Sequence, residues 1–454
     1  MTVAFWTLER VADALGGGPS SQHDVRAIST DTRAVGAGDV FVALRGETFD
    51  GHDFLPQAVA QGAVAVVVND GSRAKGLGVP VYVVDDTVHA LGLLGRYRRR
   101  AWGRTVIAVG GSNGKTSTKE LVRAALGGRL KVHATEGNLN NQIGVPLTLL
   151  SVPDDADVAV IEVGTNMPGE IALLRDIVEA NIALVTTVQE EHLEGFGDLA
   201  GVLREEASLF DGVACAIVPM QDEALVTEAR RRAQRVVTAG LGAGDVHATA
   251  WGLHRDGSGW LDLGLAHVDV PLKGEHNLRN AMLAIALARE CGLFDTESGA
   301  TISSIDVGAL PGMRSAITPL GSALLINDAY NANPGSARAA IQLLTKVGNV
   351  RQRVAVLGTM RELGAAAERS HREIAAAALD SGADVVAGIG EFGPALAALA
   401  PRDPRVLIAQ DVDDLWPQLA PRLARDAVIL LKASRGVRLE RLVPYLSTWA
   451  TNPA

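Results

Sequence analysis

The sequence predicts an α/β protein with mostly parallel sheets, divided into three domains at 1–103, 104–312 and 313–454. Three observations carry this prediction. The 454 residues are enough for about three domains of ordinary size. Short β-branched runs alternate with stretches of helical period, the pattern of strands crossed over by helices. One of those runs also passes through a glycine-rich turn into a helix, in Val106-Ile-Ala-Val-Gly-Gly-Ser-Asn-Gly-Lys-Thr116.

In chain order, Leu8, Val11, Ala12 and Leu15 share one helical face, and Gly16, Gly17 and Gly18 stop that helix. Residues 63–68 and 79–84 are β-branched runs suited to buried strands. Ser29-Thr-Asp-Thr-Arg33, Gly38-Asp-Val-Phe41 and Asp50-Gly-His52 are polar clusters beside apolar ones. Each reads equally as a turn held by Asx-type bonds or as part of a ligand pocket. Arg96, Arg98, Arg99 and Arg100 precede the central strand, and a solvated helix end at a domain joint is expected there.

The central stretch is a strand, a phosphate loop and a helix. Glycines let backbone N–H groups converge on phosphate oxygens, and the helix N-terminus adds partial positive charge. Lys115 supplies a mobile cation and Thr116 a hydroxyl for Mg²⁺. The general pattern wants a glycine where Val109 stands, so this is the shortened form Gly111-x-x-Gly114-Lys115-Thr116.

From 106 to about 311 strand and helix alternate. Residues 158–161 form a second strand with Glu162 at its carboxyl end, and 182–188 a third with His192 just beyond. Ligands of open α/β sheets bind outside the carboxyl ends of the strands, so Lys115, Glu162 and His192 are expected to face one cleft and to hold Mg²⁺ with a nucleotide. Residues 236–272 read as an antiparallel addition to the sheet, and Gly274 to Asn280 leads into the helix 281–288. In the last domain, strands at 324–326, 354–357, 384–389, 406–409 and 427–431 predict a Rossmann-like doubly wound sheet. Gly388-Ile-Gly-Glu-Phe-Gly393 there fits a dinucleotide fingerprint, but it comes late in its domain and a nucleotide site is already accounted for.

The chain holds 42 Lys plus Arg against 52 Asp plus Glu, a net charge of -10. That argues against nucleic acid or an anionic membrane as partner. No apolar run approaches the ~20 residues of a membrane span. A cytoplasmic monomer acting on small molecules is expected. Cys215 and Cys291 lack metal-ligand spacing and read as inert core thiols.

Taken together, these motifs resemble the Mur ligases, ATP-dependent enzymes that extend the peptidoglycan precursor. The likeness runs nearly the whole length in family order. It includes the Ser29 and Asp50 clusters, Gly111 to Thr116 and Thr135-Glu-Gly-Asn-Leu-Asn-Asn-Gln-Ile-Gly-Val-Pro146. It continues through Glu162-Val-Gly-Thr-Asn166, His192-Leu-Glu-Gly-Phe-Gly197 and His276-Asn-Leu-Arg-Asn280. In the last domain it takes in Asn327-Asp-Ala-Tyr-Asn-Ala-Asn-Pro334, Met360-Arg-Glu-Leu-Gly364 and Lys432-Ala-Ser-Arg435. The Asp-Ala-Tyr-Asn-Ala-Asn-Pro string points to the branch that joins D-alanyl-D-alanine to a UDP-N-acetylmuramoyl-tripeptide. A Mur-type or folylpolyglutamate-type ligase with a different amine, and a nucleotide-binding module without turnover, are the competing readings.

The resemblance implies a division of labour. The first domain would hold the UDP-sugar, with Ser29, Thr30 and Arg33 near the diphosphate. The second would hold ATP and Mg²⁺ through Gly111, Ser112, Asn113, Gly114, Lys115, Thr116 and Ser117. Asn277 and Asn280 fall where the family contacts adenine, with helix N-capping as the plainer account. Arg314, Asp328, Tyr330 and Asn331 would close over the nucleotide, and Asn138, Asn141, Asn333 and Ser336 would face substrate. Lys115, Glu162, His192, Glu206 and Asp328 make up the implied catalytic set, with Thr116, Glu162, His192 and Glu206 on the metal.

Four departures stand out. Where the family has a carbamylated lysine after its metal-binding histidine, Gly201-Val-Leu-Arg-Glu-Glu-Ala-Ser208 puts Glu206, either a built-in carboxylate substitute or, with Glu205, a solvated helix face. Gln189-Glu-Glu191 precedes His192 where the family tends to be neutral. Thr359 and Ala433 replace an acid and a glycine.

Overall fold

The computed structural model describes residues 5–310, 316–348 and 351–451. It is a mixed α/β protein with mostly parallel sheets. The chain forms two compact units. One comprises Met1–Ala108, His133–Gly164 and Ala172–Asn181, and the other Val109–Val132, Thr165–Ile171 and Ile182–Ala454.

The first unit opens on the helix Leu8–Leu15, closed by Gly16 at φ 77°. Four parallel strands follow, Ile28–Ser29, Val40–Val42, Ala65–Val68 and Val81–Val83, adjacent in that order. The runs Val-Phe-Val and Ala-Val-Val-Val are buried at every residue, as strands covered on both faces must be. The unit also contains Val158–Glu162, which lies between Val132–Ala134 and Thr105–Gly110.

The helix Thr87–Trp102 is capped by Asp86, whose carboxylate accepts from Val88 and His89 N–H, and it ends at Gly103. Its basic cluster corrects the expectation of a solvated end, because Arg98 and Arg99 are buried. Arg98 donates to Val152 O at 2.7 Å and to Asp154 at 2.6 Å. Arg99 donates to Val178 O, Glu179 O and Asn181 Oδ1 at 2.9 to 3.0 Å. The C-terminal carbonyls of a helix have no intrahelical donor, and these guanidinium groups supply one. Asn181 Oδ1 also accepts Val106 N–H at 2.8 Å, so Arg99 helps to anchor the start of the phosphate-loop strand.

The second unit holds parallel strands Ile182–Val185, Cys215–Pro219, Val236–Gly240 and Val246–His247. At its start, Thr186 N–H donates to Gly110 O at 3.0 Å. The expected antiparallel addition is instead a separate three-stranded sheet, Ala250–Leu253, Gly259–Asp262 and His267–Val270. Its last strand alternates exposed and buried residues, the signature of a sheet with one solvated face, whereas the parallel strands are buried on both faces.

The last sheet runs Ala316–Leu320, Ala323–Asp328, Val428–Lys432, Arg353–Gly358, Val385–Ile389 and Val406–Ala409. The first pair is antiparallel and the rest are parallel. Ala316–Leu320 carries Pro319, which an edge strand tolerates and a central one does not. Register sets Asp328 opposite Lys432 at the carboxyl ends of their strands.

Both cysteine thiols stay protonated at neutral pH. Burial pushes Cys215 up and Cys291 up to about 11. Among the described residues no helix is long and apolar enough to cross a membrane.

A pH dependence follows from His371. Its Nδ1 lies 2.7 Å from Ala367 O and its Nε2 accepts Met360 N–H at 2.9 Å, an arrangement that needs the neutral ring. Burial depresses its pKa, outweighing the Ala367 carbonyl, which favours the charged form. A base depressed on folding contributes stability fully present above the ordinary value of about 6.5 and lost as the pH falls from there through the lowered folded value. The melting temperature is therefore expected to drop between pH 7.5 and pH 5, and to drop less in His371→Gln. Equal drops in the two proteins would refute the assignment.

Candidate active site

The phosphate loop lies at the start of the second unit. Val109 is fully buried, which accounts for the missing glycine of the general pattern, since this position belongs to the strand Thr105–Gly110. Gly111 has φ 117°, and a Cβ there would fall 2.2 Å from Thr186 Oγ1. Gly114, at φ 83°, caps the helix Lys115–Gly127, and its missing side chain makes room for the Asn280 amide. Both positions require glycine, by conformation and by contact. Thr186 Oγ1 donates to Asn113 O at 2.6 Å and Ser112 N–H to Thr187 O at 2.9 Å, so the turn is held from outside.

Lys115 Nζ donates to Gly111 O at 2.5 Å, with Ser112 O at 3.5 Å and Glu191 Oε1 at 4.0 Å. Thr116 is buried and Ser117 half-buried in the first turn of the helix.

Glu206 is fully buried, which overturns the reading of 205–206 as a solvated face. Its Oε2 accepts Gly111 N–H at 2.7 Å, and its Oε1 has no hydrogen-bond partner among the described residues. Burial raises its pKa, opposed by the Lys115 charge and the Gly111 N–H. Glu205 is not solvated either. It accepts Gly169 N–H at 2.9 Å and Ile171 N–H at 2.8 Å, serving the N-terminus of the helix Glu170–Val178.

His192 stands at φ 49° and pairs through Nδ1 with Glu362, itself at φ 65°. These are two of the four non-glycine residues with positive φ among the described residues, and such conformations gather at functional sites. Burial lowers the His192 pKa, with Glu362 acting against it and Lys115 with it. Glu190 reaches Arg369 at 2.7 Å.

Asn277 Nδ2 donates to Lys273 O at 2.7 Å, and Asn280 Nδ2 to Asn277 Oδ1 at 3.2 Å. Neither caps its helix, whose N-cap is Gly274, so the capping account is set aside and both buried amides remain beside the loop.

Lys432 Nζ donates to Asp328 Oδ2 at 2.6 Å and to Asn331 O at 2.7 Å. The Arg435 guanidinium lies over the Tyr330 ring at 5.3 Å. Asn333 and Ser336 close the N-terminus of the helix Pro334–Lys346 with a reciprocal capping box. Asn333 also meets Asn113 of the phosphate loop. Arg314 lies outside the described residues.

The first unit gathers its own set. Glu162 is buried at the end of its strand, with its N–H donating to Thr135 Oγ1 and its Oε1 accepting Asn140 Nδ2, each at 2.9 Å. Asn141 Oδ1 takes the Ile143 and Gly144 N–H groups of the next helix, and Asn138 is exposed one turn earlier. Ser29 ends its strand beside Thr30, and exposed Arg33 is bound to Asp31, whose pKa it holds down at about 2.

Sequence reasoning missed Asn140, Gln189, Glu191 and Glu362. Asn140 stood inside a quoted motif and Gln189 and Glu191 inside a noted departure. Glu362 likewise stood inside the quoted motif Met360-Arg-Glu-Leu-Gly364, and its partner His192 is supplied only by the fold. Among the described residues no three or more His, Cys, Asp and Glu side chains form a ready cage for a metal ion.

A glycine-bound phosphate loop at a strand end, met by a capped helix from a following parallel sheet, defines a nucleotide-dependent phosphate-loop enzyme. Three family models match in succession: "Mur ligase family, catalytic domain" over residues 24–99, "Mur ligase middle domain" over 109–288 and "Mur ligase, glutamate ligase domain" over 314–435. The chain belongs to the Mur ligase family. It is 36% identical, over 97% of this chain and 98% of the other, to the UDP-N-acetylmuramoyl-tripeptide–D-alanyl-D-alanine ligase of Escherichia coli. The crystal structure of MurF from Acinetobacter baumannii matches with a TM-score of 0.89 at 30% identity, covering 98% of this chain and 99% of that one. MurF from Thermotoga maritima in complex with ADP matches with a TM-score of 0.82 at 26% identity, covering 93% and 97%.

Proposed function

We propose that this chain is the ATP-dependent, ADP-forming ligase that joins D-alanyl-D-alanine to UDP-N-acetylmuramoyl-tripeptide, completing the pentapeptide precursor of peptidoglycan. The observation that carries this is the near full-length likeness to a ligase of that name. The tripeptide carboxylate attacks the γ-phosphoryl group of ATP and ADP leaves; the amine then displaces phosphate from the acyl phosphate, forming the amide. Two anions must meet in the first step, and Lys115 offsets their repulsion. Asn277 and Asn280 take the adenine side, while Asp328, Tyr330 and Asn331, with Arg314, bear on the nucleotide from the last domain. Ser29, Thr30 and Arg33 serve the UDP moiety, and Asn138, Asn141, Asn333 and Ser336 serve the peptide substrates. The division of labour follows the domains 1–103, 104–312 and 313–454, and the enzyme works as a cytoplasmic monomer.

The residues at the loop fit Mg²⁺. The second unit offers it hard oxygens, the Thr116 hydroxyl and the Glu206 carboxylate, together with the His192 imidazole, and the family resemblance adds the Glu162 carboxylate. Mg²⁺ needs only one or two carboxylates besides substrate phosphates and water, so a closed protein cage is not required. Bound there, the ion neutralises charge on the phosphates. Glu206 is the built-in carboxylate in place of the family's carbamate, and its Oε1, with no hydrogen-bond partner among the described residues, is an atom that a cation would satisfy.

Glu206→Gln keeps an oxygen for Gly111 N–H but removes the charge. The Mg²⁺ concentration for half-maximal rate is expected to rise by about tenfold or more, the usual scale for a lost carboxylate near a metal. Unchanged Mg²⁺ dependence would leave Glu206 as a prop for the loop and nothing more.

The function itself is tested by product mass after incubation with ATP, UDP-N-acetylmuramoyl-tripeptide and D-alanyl-D-alanine. The expected gain over the tripeptide substrate is one dipeptide less water. Addition of a different amine in preference would overturn the reading.

A further inference from the structure

Gln189 immediately precedes the acids Glu190 and Glu191, which stand where the family tends to be neutral, and the reaction as described gives it no task. Its backbone is fastened to the phosphate loop, since Ser112 Oγ accepts Gln189 N–H at 2.9 Å and donates to Gln189 O at 3.2 Å. Its side chain is fastened there too, because Oε1 accepts Asn113 Nδ2 at 2.7 Å.

Asn113 in turn exchanges two hydrogen bonds with Asn333, at 3.0 and 3.1 Å. Asn333 is the N-cap of the helix Pro334–Lys346, and its Oδ1 also takes Ser336 N–H at 2.8 Å. A Cβ on Gly335 would fall 1.7 Å from Gln189 Oε1, so the glycine in the first turn of that helix is what admits the glutamine amide. One amide belongs to the loop, one to the helix, and the third braces the first against the second.

We propose that Gln189 is a positioning residue that, through Asn113, couples the turn of the phosphate loop to the seating of the helix Pro334–Lys346. The loop then takes its working shape when that helix is in place. Phosphoryl transfer depends on such placement, and small misalignments of the reacting groups are costly. This inference rests on the reading of Gly111 to Thr116 as the ATP site.

The test uses the full chain with all three substrates and three variants, Gln189→Ala, Gly335→Ala and the double. Each single variant is expected to lower kcat by about tenfold, the scale of one well-placed hydrogen bond, with KM for ATP within about threefold of wild type. The double is expected to be no worse than Gln189→Ala, because without the amide the added methyl meets nothing there. Unchanged kcat in Gln189→Ala, an effect on KM alone, or losses that multiply to about a hundredfold in the double would each overturn the coupling. If Gly335→Ala fails to fold, as judged by its urea midpoint, the kcat and KM split of Gln189→Ala decides alone. A wild-type chain that neither binds nor consumes ATP would instead overturn the nucleotide reading beneath it.

Discussion

Lys115→Ala is expected to lower the ligation rate by about a thousandfold, the largest activity loss of any single change proposed for this chain. The first chemical step brings a carboxylate against a triphosphate, and Lys115 is the cation carried by the loop itself. Its ammonium is mostly buried, with 14% of the side chain exposed, and it lies close to Gly111 O, Ser112 O and Glu191. In so sheltered a place its charge acts more strongly than it would in water. Lys115→Arg is expected to recover little, because a planar guanidinium cannot occupy the space of a compact ammonium inside a loop this tightly held. Phosphate release dependent on both other substrates measures the loss, and urea midpoints show whether the variants fold. Activity within tenfold of wild type for Lys115→Ala would remove the loop from the chemistry.

Asp328→Ala is expected to give the largest stability loss, about 3 to 5 kcal/mol, because it strands a buried ammonium. Lys432 has 3% of its side chain exposed and Asp328 11%, and the two meet at 2.6 Å. Their hydrogen bonds extend to Asn331 O, so the pair also shapes the segment after the strand. The double variant Asp328→Leu with Lys432→Met is expected to recover most of the loss, since a well-packed apolar pair avoids the desolvation of both charges. It is not expected to recover activity if Asp328 bears on the nucleotide. The urea-unfolding transition checks the stability claim, and a loss below about 1 kcal/mol for Asp328→Ala would mean that the pair is effectively solvated.

Much of the architecture was legible in the order of residues because it rests on local periodicity. The helix ended by Gly16, the β-branched strands and the turn from Val106 to Thr116 each signal themselves over a few residues, through side-chain alternation and glycine. Residues that lie together in one motif, such as Gly111 to Thr116 or Asn333 to Ser336, could be named for the same reason.

Charged side chains were read less well. Arg98 and Arg99 were expected at a solvated helix end, and a solvated face was one of two readings of Glu205 and Glu206, yet all four have structural partners. A charge run looks the same in sequence whether it meets water or the unpaired backbone groups of another element.

By itself, then, the sequence determined the α/β class, the phosphate loop and the family. These follow from short-range patterns and from likeness spread over the whole length. Only the tertiary structure decided that Glu206 lies beneath Gly111, that Asp328 faces Lys432, that His192 meets Glu362, and that Asn113 meets Asn333 through a site braced by Gln189. Those pairings join positions from 76 to 220 residues apart. Strand register and packing select them, and no local preference along the chain encodes them.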